Sequence, residues 1–387
     1  MNVSNQEKSS VKKKIINYLI NILILAVSLC LAVVIVEITL PLFKIRNIEE
    51  AVYQVRRPTI QGTYGAYHPK LYYTLQKNLR NVRQFYPGQL DYVVDTNGQG
   101  FRGPDWDMSS RRKNVVILGD SFAFGWGVQW EQTLGKILEK ELQKTDPSYQ
   151  VVNLAMPGWD LDKIISAFEL YKDVLKPVAV VYIFCPNDTL CGIHKISATE
   201  YDLEYHPGPD DEKNYRAMLA RQQPGYWSWD KFFRSTYAKA YHARVLRRVF
   251  DKRIRASLSE DKAPAGFDFF PPIAVPAQST LDDEHKEFLL YCLKRLRADA
   301  GGSNLYILDT SDKSILYKKD AADNRRWVIR QFGEANTGVT FIDFESYVRN
   351  TPDGRKFFLD YDDHWSAAGH AAAARLLIEK WSTKSNI

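Results

Sequence analysis

The chain has 387 residues, of which 45% are hydrophobic, 25% charged and 13% aromatic. This is an ordinary globular composition, and it excludes a disordered or collagen-like chain. The formal net charge is +6, of which residues 1–40 carry +2, so the rest of the chain has only a weak basic bias. Binding of a nucleic acid as the main activity is therefore poorly supported. The four cysteines contain no C-x-x-C pair, which argues against a zinc ribbon or a disulfide-stapled mini-fold.

An apolar segment near the N-terminus is the clearest physical signal in the sequence. Residues 15–36 contain no charged side chain, and a helix rising about 1.5 Å per residue would cover the hydrocarbon core of a bilayer there. The run is too long for a cleavable signal peptide, so we predict a retained anchor over residues 15–40. Three lysines, at positions 12, 13 and 14, precede it, and the positive-inside rule places the tail of residues 1–14 in the cytoplasm. The rest of the chain is then expected in the periplasm or outside the cell, and a buried core helix is the alternative.

The chain beyond the anchor changes character at about residue 113. Residues 41–112 mix charged, aromatic and turn residues, and we expect a stem that leads into a domain. In residues 113–387, short apolar runs alternate with helical patterns, which is typical of a parallel α/β sheet. We therefore predict a flavodoxin-like three-layer sandwich with a five-stranded parallel sheet. The predicted strands cover residues 114–118, 151–154, 178–184, 305–308 and 339–344, and the helices 133–144, 161–174, 283–300, 321–332 and 366–381.

An insertion at about residues 190–280 interrupts this alternation. Loops rich in proline, glycine and aspartate bracket a basic segment with a helical repeat of aromatic residues. A helix that packs its aromatic face on the core explains the pattern, and a cap over a cleft or contact with an anionic surface are the alternatives. At the start of this insertion, Cys185 and Cys191 would form a disulfide in an oxidising compartment if their backbones approach each other.

The chemistry is expected at the carboxyl edge of the predicted sheet, where open α/β sheets place their functional groups. The first strand ends in Gly119-Asp120-Ser121-Phe122, which puts a serine hydroxyl at that edge. A serine nucleophile requires a base and a group that orients the base, and the segment Asp360-Tyr361-Asp362-Asp363-His364 offers both. A solvated, capped helix N-terminus is the alternative explanation of that segment. Gly158 and Asn187 follow the second and third strands and are candidate donors to an oxyanion.

In this order and spacing, the residues resemble the four blocks of the SGNH (GDSL-type) hydrolase superfamily, and in particular its membrane-anchored bacterial members. The resemblance covers roughly residues 95–185 and 300–381. It implies that Ser121 is the nucleophile, His364 the general base and a neighbouring aspartate the orienting acid. It also implies an oxyanion hole formed by the backbone N–H groups of Ser121 and Gly158 and the side-chain amide of Asn187.

Two positions depart from the commonest pattern of that family. The position three residues before the histidine holds Tyr361 instead of aspartate. Some members that acylate or deacylate polysaccharides carry the acid two residues before the histidine, and resemblance to them implies Asp362 as the orienting acid, with Asp360 and Asp363 as alternatives. The third block has Cys185 where glycine is usual.

The resemblance implies acyl transfer from an ester through an acyl-serine intermediate. We expect a membrane-anchored serine esterase that acts on acyl or acetyl esters of a small molecule or a carbohydrate outside the cytoplasm. An O-acyltransferase acting on a cell-surface polysaccharide and an inactive member that binds glycans or a protein are the alternatives. The other histidines lack the spacing of metal ligands, and no metal, cofactor or nucleic-acid partner is predicted.

Overall fold

The computed structural model describes residues 3–39, 42, 46–109, 111–190, 193, 195–197, 200–223, 281–310, 313–316 and 324–385. Its helices are α1 (Val3–Thr39), α2 (Arg46–Arg56), α3 (Ile60–Tyr64), α4 (Ser121–Phe124), α5 (Leu134–Thr145), α6 (Leu161–Leu175), α7 (Asp211–Gln222), α8 (Asp283–Asp299), α9 (Asn324–Ala335), α10 (Phe344–Arg349) and α11 (Ala367–Ser385). Its strands are β1 (Gly65–His68), β2 (Tyr72–Leu75), β3 (Val82–Tyr86), β4 (Leu90–Val94), β5 (Lys113–Gly119), β6 (Tyr149–Asn153), β7 (Ala179–Phe184), β8 (Lys195–Ser197), β9 (Glu200–Tyr201), β10 (Asn304–Asp309) and β11 (Val339–Ile342). The basic segment of the predicted insertion and Cys191 lie outside the described residues.

The described part of the chain divides into two compact units. The first contains α1 and α2, and within α1 the stretch Lys13–Thr39 is long and apolar enough to cross a membrane by its length and composition. A signal sequence near the N-terminus passes the same test. Arg56, at the end of α2, pairs with Glu37 of α1. The second unit begins at Arg57 and contains every other element.

The core of the second unit is a sheet of five parallel strands in the order β6-β5-β7-β10-β11. Numbered along the chain among themselves, these strands have the order 2-1-3-4-5, which is that of flavodoxin-like folds. Each of the five predicted strands is present, with boundaries within two residues of those expected. In β7 every residue is buried, because a parallel sheet covered by helices on both faces selects continuous apolar runs.

Two groups of helices cover the sheet. In one group α5 packs against α11, and in the other α8 packs against both α6 and α9. Right-handed crossovers between parallel strands place the two groups on opposite faces of the sheet. Leu138 of α5 and Phe168 of α6 are among the buried side chains that form the core. These layers confirm the predicted three-layer α/β fold.

Residues 57–109 and 111–112 belong to the same compact unit as the sheet, whereas residues 46–56 belong to the first unit. They form two antiparallel hairpins, β1–β2 and β3–β4, each of only two strands. Isolated two-stranded hairpins are at best marginally stable in water, so they need a surface to pack on. Leu75 and Tyr92, one from each hairpin, are fully buried. Strands of four or five residues carry no long apolar period, which is why the sequence suggests a stem here.

A buried arginine joins this N-terminal segment to the loop that follows Ser121. The guanidinium of Arg102 donates from Nη1 to the carbonyls of Phe124 at 3.1 Å and Gly125 at 2.6 Å. Its Nη2 donates to the carbonyls of Val93 at 3.0 Å and Val128 at 2.8 Å. Burial lowers the pKa of Arg102 to about 10, so the side chain remains charged at neutral pH. The loop of residues 124–128 is therefore held by hydrogen bonds to a cation.

We expect Arg102→Lys to lower the free energy of unfolding by about 3 kcal/mol, because lysine cannot supply the planar set of donors and leaves buried carbonyls without partners. Urea unfolding of the detergent-solubilised chain measures this change. Arg83→Lys is the matched control, since Arg83 pairs with Asp91 at an exposed position of β3 and β4. Its expected effect is below about 0.5 kcal/mol, and an equal loss in both variants would contradict the role assigned to Arg102.

Candidate active site

Ser121 lies immediately beyond the carboxyl end of β5, at the first position of the short helix α4. The strand ends at Gly119, where the backbone φ of +147° favours glycine. A Cβ at this position would lie 2.8 Å from the carbonyl oxygen of Ile183, so a larger residue is excluded. Asp120 then caps α4, since its Oδ1 accepts a hydrogen bond from the backbone N–H of Phe122 at 2.9 Å. The tight turn and the cap together present the serine hydroxyl at the edge of the sheet.

His364 lies on a tight turn that precedes α11. The backbone N–H of Leu359 donates to the carbonyl of His364 at 2.8 Å and closes this turn. The ammonium group of Lys313 lies beneath it and donates to the carbonyls of Leu359 at 2.9 Å and Asp360 at 2.6 Å. A buried cation thus fixes the backbone on which the histidine is mounted.

The side chains of Ser121, His364 and Asp362 form a continuous chain of hydrogen bonds. His364 Nε2 lies 2.6 Å from Ser121 Oγ, although the two residues are 243 positions apart in the sequence. On the other side of the ring, His364 Nδ1 contacts Asp362 Oδ1. A carboxylate oxygen only accepts, so Nδ1 carries the proton and Nε2 is left to accept the hydroxyl proton of Ser121. Of the three aspartates considered, Asp362 makes this contact, whereas Asp360 pairs with Arg355 at 3.1 Å.

The second oxygen of Asp362 is also paired. Arg57 Nη1 bonds to Asp362 Oδ2, and only 3% of the aspartate side chain is exposed. Burial by itself raises the pKa of Asp362, but the neighbouring His364 and Arg57 outweigh it and hold that pKa well below its usual range. The carboxylate is therefore ionised throughout the neutral and weakly acidic range. Arg57 is not predicted from the sequence, because it falls in the segment expected to be a stem.

Aromatic rings enclose the imidazole. The ring of Phe122 lies 4.9 Å from that of His364, and the ring of Trp126 lies 5.6 Å from it, measured between centroids. Trp365 is fully buried and meets Phe122 edge-on at 5.3 Å. These contacts restrict the rotation of the imidazole and reduce the access of water to its faces.

Asn187 lies close to the serine through a shared acid. Its side-chain Nδ2 donates to Asp120 Oδ2 at 3.2 Å, and Ser121 Oγ is 3.3 Å from the same oxygen. The loop that carries Asn187 is held by Asp188, whose Oδ2 accepts from the Tyr182 hydroxyl at 2.7 Å and from the backbone N–H of Cys185 at 2.9 Å. Burial raises the pKa of Asp120 and of Asp188.

Gly158 follows β6 at the same edge of the sheet. Its φ of +80° favours glycine, and a Cβ there would lie 3.0 Å from the hydroxyl of Tyr73. That hydroxyl donates to the carbonyl of Pro157 at 2.7 Å, and the backbone N–H of Met156 donates to the carbonyl of Gly119 at 3.3 Å. The three residues expected to form an oxyanion hole thus lie just after β5, β6 and β7 in the chain. Their role in catalysis stays a prediction.

Within the part of the chain that the structure describes, no group of three or more His, Cys, Asp or Glu residues is arranged to hold a metal ion.

No protein-family model and no curated protein matches this sequence. Among solved structures, the chain is similar to TesA, with 13% identity, coverage of 69% of this chain and 97% of that one, and a TM-score of 0.38. It is similar to a lipase/acylhydrolase from Enterococcus faecalis, with 12% identity, coverage of 70% and 96%, and a TM-score of 0.38. It is also similar to the acetylxylan esterase Axe2 from Geobacillus stearothermophilus, with 13% identity, coverage of 69% and 93%, and a TM-score of 0.36.

His370, one turn into α11, is a buried histidine behind the site. Its Nδ1 accepts a hydrogen bond from the backbone N–H of Leu134 at 3.2 Å, and its ring meets that of Trp365 edge-on at 5.4 Å. Burial, reinforced by the nearby charges of Arg102 and His364, lowers the pKa of His370 to about 3. The folded chain therefore keeps this ring neutral at a pH where the unfolded chain protonates it.

Acidification should consequently weaken the fold through His370. Below the ordinary histidine pKa of about 6.5 the unfolded chain binds one more proton, so the free energy of unfolding falls by about 1.4 kcal/mol between pH 7.5 and 5.5. We expect His370→Gln to remove this part of the pH dependence, measured by urea unfolding at both values. The control His206→Gln changes an exposed histidine and should retain the slope. A slope that is identical in wild type and His370→Gln would refute the assignment.

Proposed function

We propose that this protein is a serine esterase that transfers an acyl group from an ester to water through an acyl-serine intermediate. The observation that carries the proposal is the 2.6 Å contact between Ser121 Oγ and His364 Nε2, with Asp362 bonded to the opposite ring nitrogen. This arrangement is the one that a nucleophile, a base and an orienting acid take in a catalytic triad, and it supports the proposal.

The first half of the proposed reaction forms the acyl-enzyme. Ser121 Oγ attacks the ester carbonyl while its proton passes to His364 Nε2, and Asp362 stabilises the imidazolium that results. The C–O bond to the leaving alcohol then breaks, and His364 returns the proton to that alcohol. In the second half a water molecule attacks the acyl carbonyl while one of its protons passes to His364 Nε2. The bond between that carbon and Ser121 Oγ then breaks, His364 returns the proton to Ser121 Oγ, and the carboxylic acid is released.

The tetrahedral intermediates require donors for the oxygen that becomes negative. The backbone N–H groups of Ser121 and Gly158 and the side-chain amide of Asn187 are our candidates. A side-chain amide has two N–H groups, and the bond to Asp120 uses one of them, which leaves the other for the oxyanion. Each donor would contribute about 3 kcal/mol of transition-state stabilisation.

The two departures from the family pattern do not argue for an inactive protein. With Tyr361 in place of the more common aspartate, the acid two residues before His364 contacts the imidazole instead. The side chain of Cys185 is buried, and its backbone N–H bonds to Asp188 within the loop of Asn187. These contacts support an assembled active site rather than an inactive protein that only binds glycans or another protein.

We also propose that the protein is anchored in a membrane. The apolar stretch in α1 would anchor the chain in a membrane, and the lysines at positions 12, 13 and 14 before it favour an N-terminus in the cytoplasm. The esterase unit would then lie in the periplasm or outside the cell and act on small-molecule or carbohydrate esters there.

Labelling with a fluorescent fluorophosphonate tests the nucleophile directly. We expect the detergent-solubilised chain to react covalently and to hydrolyse p-nitrophenyl acetate, and Ser121→Ala to lower both by at least about 10³-fold, since the bond-forming oxygen is gone. Ser166→Ala is the matched control, because the hydroxyl of Ser166, which lies on α6, donates to the carbonyl of Leu203. Undiminished labelling of Ser121→Ala would exclude the proposed nucleophile.

Topology can be measured with alkaline phosphatase fused after Ile387, since this reporter folds with its disulfides only in an oxidising compartment. We expect an active reporter in a Gram-negative host, and a loss of activity when residues 1–40 are deleted. An active reporter without those residues would contradict the role of α1 in export.

A further inference from the structure

We propose that Arg57 is a positioning residue for the reaction, which acts by fixing the carboxylate of Asp362. This inference rests on the proposed esterase function. Arg57 Nη1 bonds to Asp362 Oδ2, and 13% of the arginine side chain is exposed. The guanidinium also lies 5.1 Å from the centroid of the Trp126 ring, which packs against His364.

The contact with Arg57 restricts the orientation of the Asp362 carboxylate. The carboxylate of Asp362 uses Oδ1 for His364 and Oδ2 for Arg57. A carboxylate bonded through one oxygen can rotate about its χ2 torsion, which has a broad energy profile. Pinning the second oxygen holds the first one in line with the Nδ1–H of His364, and so holds Nε2 against Ser121.

The charge of Arg57 matters as well as its shape. In the resting site it cancels the negative charge of Asp362, which is 3% exposed and costly to bury without a partner. The other acid near the serine, Asp120, directs its Oδ2 to Asn187 and Ser121 instead. The cation at position 57 therefore serves Asp362.

Removal of Arg57 should release the carboxylate without releasing the turn. Lys313 bonds to the carbonyls of Leu359 and Asp360 and holds the backbone beside Asp362 independently of Arg57. A variant at position 57 therefore tests orientation of the side chain rather than integrity of the loop.

We expect Arg57→Gln in the full-length, detergent-solubilised chain to lower kcat for p-nitrophenyl acetate by about 10- to 100-fold, as misplacement of a catalytic group does. KM should stay within about twofold, because Arg57 does not contact the ester in the proposed reaction. Arg57→Lys keeps the charge but lacks the planar guanidinium, and we expect an intermediate kcat. Arg56→Gln is the matched control, since the preceding arginine is exposed and pairs with Glu37.

A double-variant cycle shows whether Arg57 acts through Asp362. In an Asp362→Asn background, Arg57→Gln should have almost no further effect on the rate of fluorophosphonate labelling, whereas independent effects would multiply. Multiplying losses, or an Arg57→Gln kcat within twofold of wild type, would overturn the proposal. If Arg57→Gln loses its near-ultraviolet circular dichroism, Arg57→Lys decides: a lower kcat at unchanged KM supports the proposal, and an unchanged kcat overturns it.

The two hypotheses fail in different ways. A wild-type chain that neither hydrolyses the ester nor reacts with the fluorophosphonate contradicts the esterase proposal. A wild-type chain that does both, with Arg57→Gln indistinguishable from it, contradicts only the role of Arg57.

Discussion

A buried negative charge, the carboxylate of Asp362, constrains the arrangement of the whole site. Taking a carboxylate out of water costs several kcal/mol unless both of its oxygens are bonded and its charge is balanced. His364 and Arg57 meet these needs from two ends of the chain, and Arg57 lies 305 positions before the aspartate. The turn before α11 and the start of the second unit must therefore come together for the charge of Asp362 to be balanced. The same contact that satisfies the charge also aims the imidazole at Ser121.

Around that ion pair, side chains that take no part in the proposed reaction hold the loops that carry the reacting groups. Asp120 caps α4 and bonds the Asn187 amide, and Asp188 ties the Asn187 loop to Tyr182 of β7. Lys313 performs the corresponding task for the backbone before His364. These hydrogen bonds tie the loops of the candidate site to one another and to the sheet.

Much of this arrangement could be predicted because it depends on local patterns. Five apolar runs identify the five parallel strands, and a glycine followed by Asp120 and Ser121 at the end of one of them indicates the site. The pairing of Ser121 with His364 follows from the resemblance to a known family rather than from periodicity. The sequence favours Asp362 as the orienting acid but leaves Asp360 and Asp363 open, because the direction of a side chain in a tight turn is not set by spacing.

The remaining parts could not be predicted for a shared reason. Arg57 and Arg102 act through partners that are distant in sequence, and the partners of Arg102 are backbone carbonyls, which leave no trace in residue types. Short hairpins such as β1–β2 lack the length that makes a period visible. An arginine followed by glycine in the otherwise polar stretch before β5 was the available signal for Arg102, and it is weak because such pairs are common in turns.

The proposed esterase unit begins well before the parallel sheet. Trimming the protein to the residues that read as an α/β domain, from position 113, would discard Arg57 and Arg102 together with Tyr73, which supports the loop of Gly158. The fragment would retain serine, histidine and aspartate yet lose the parts that align them. A shortened version meant for crystallisation or assay should keep residue 57, even though that leaves only 17 residues between its first useful position and the end of α1 at Thr39.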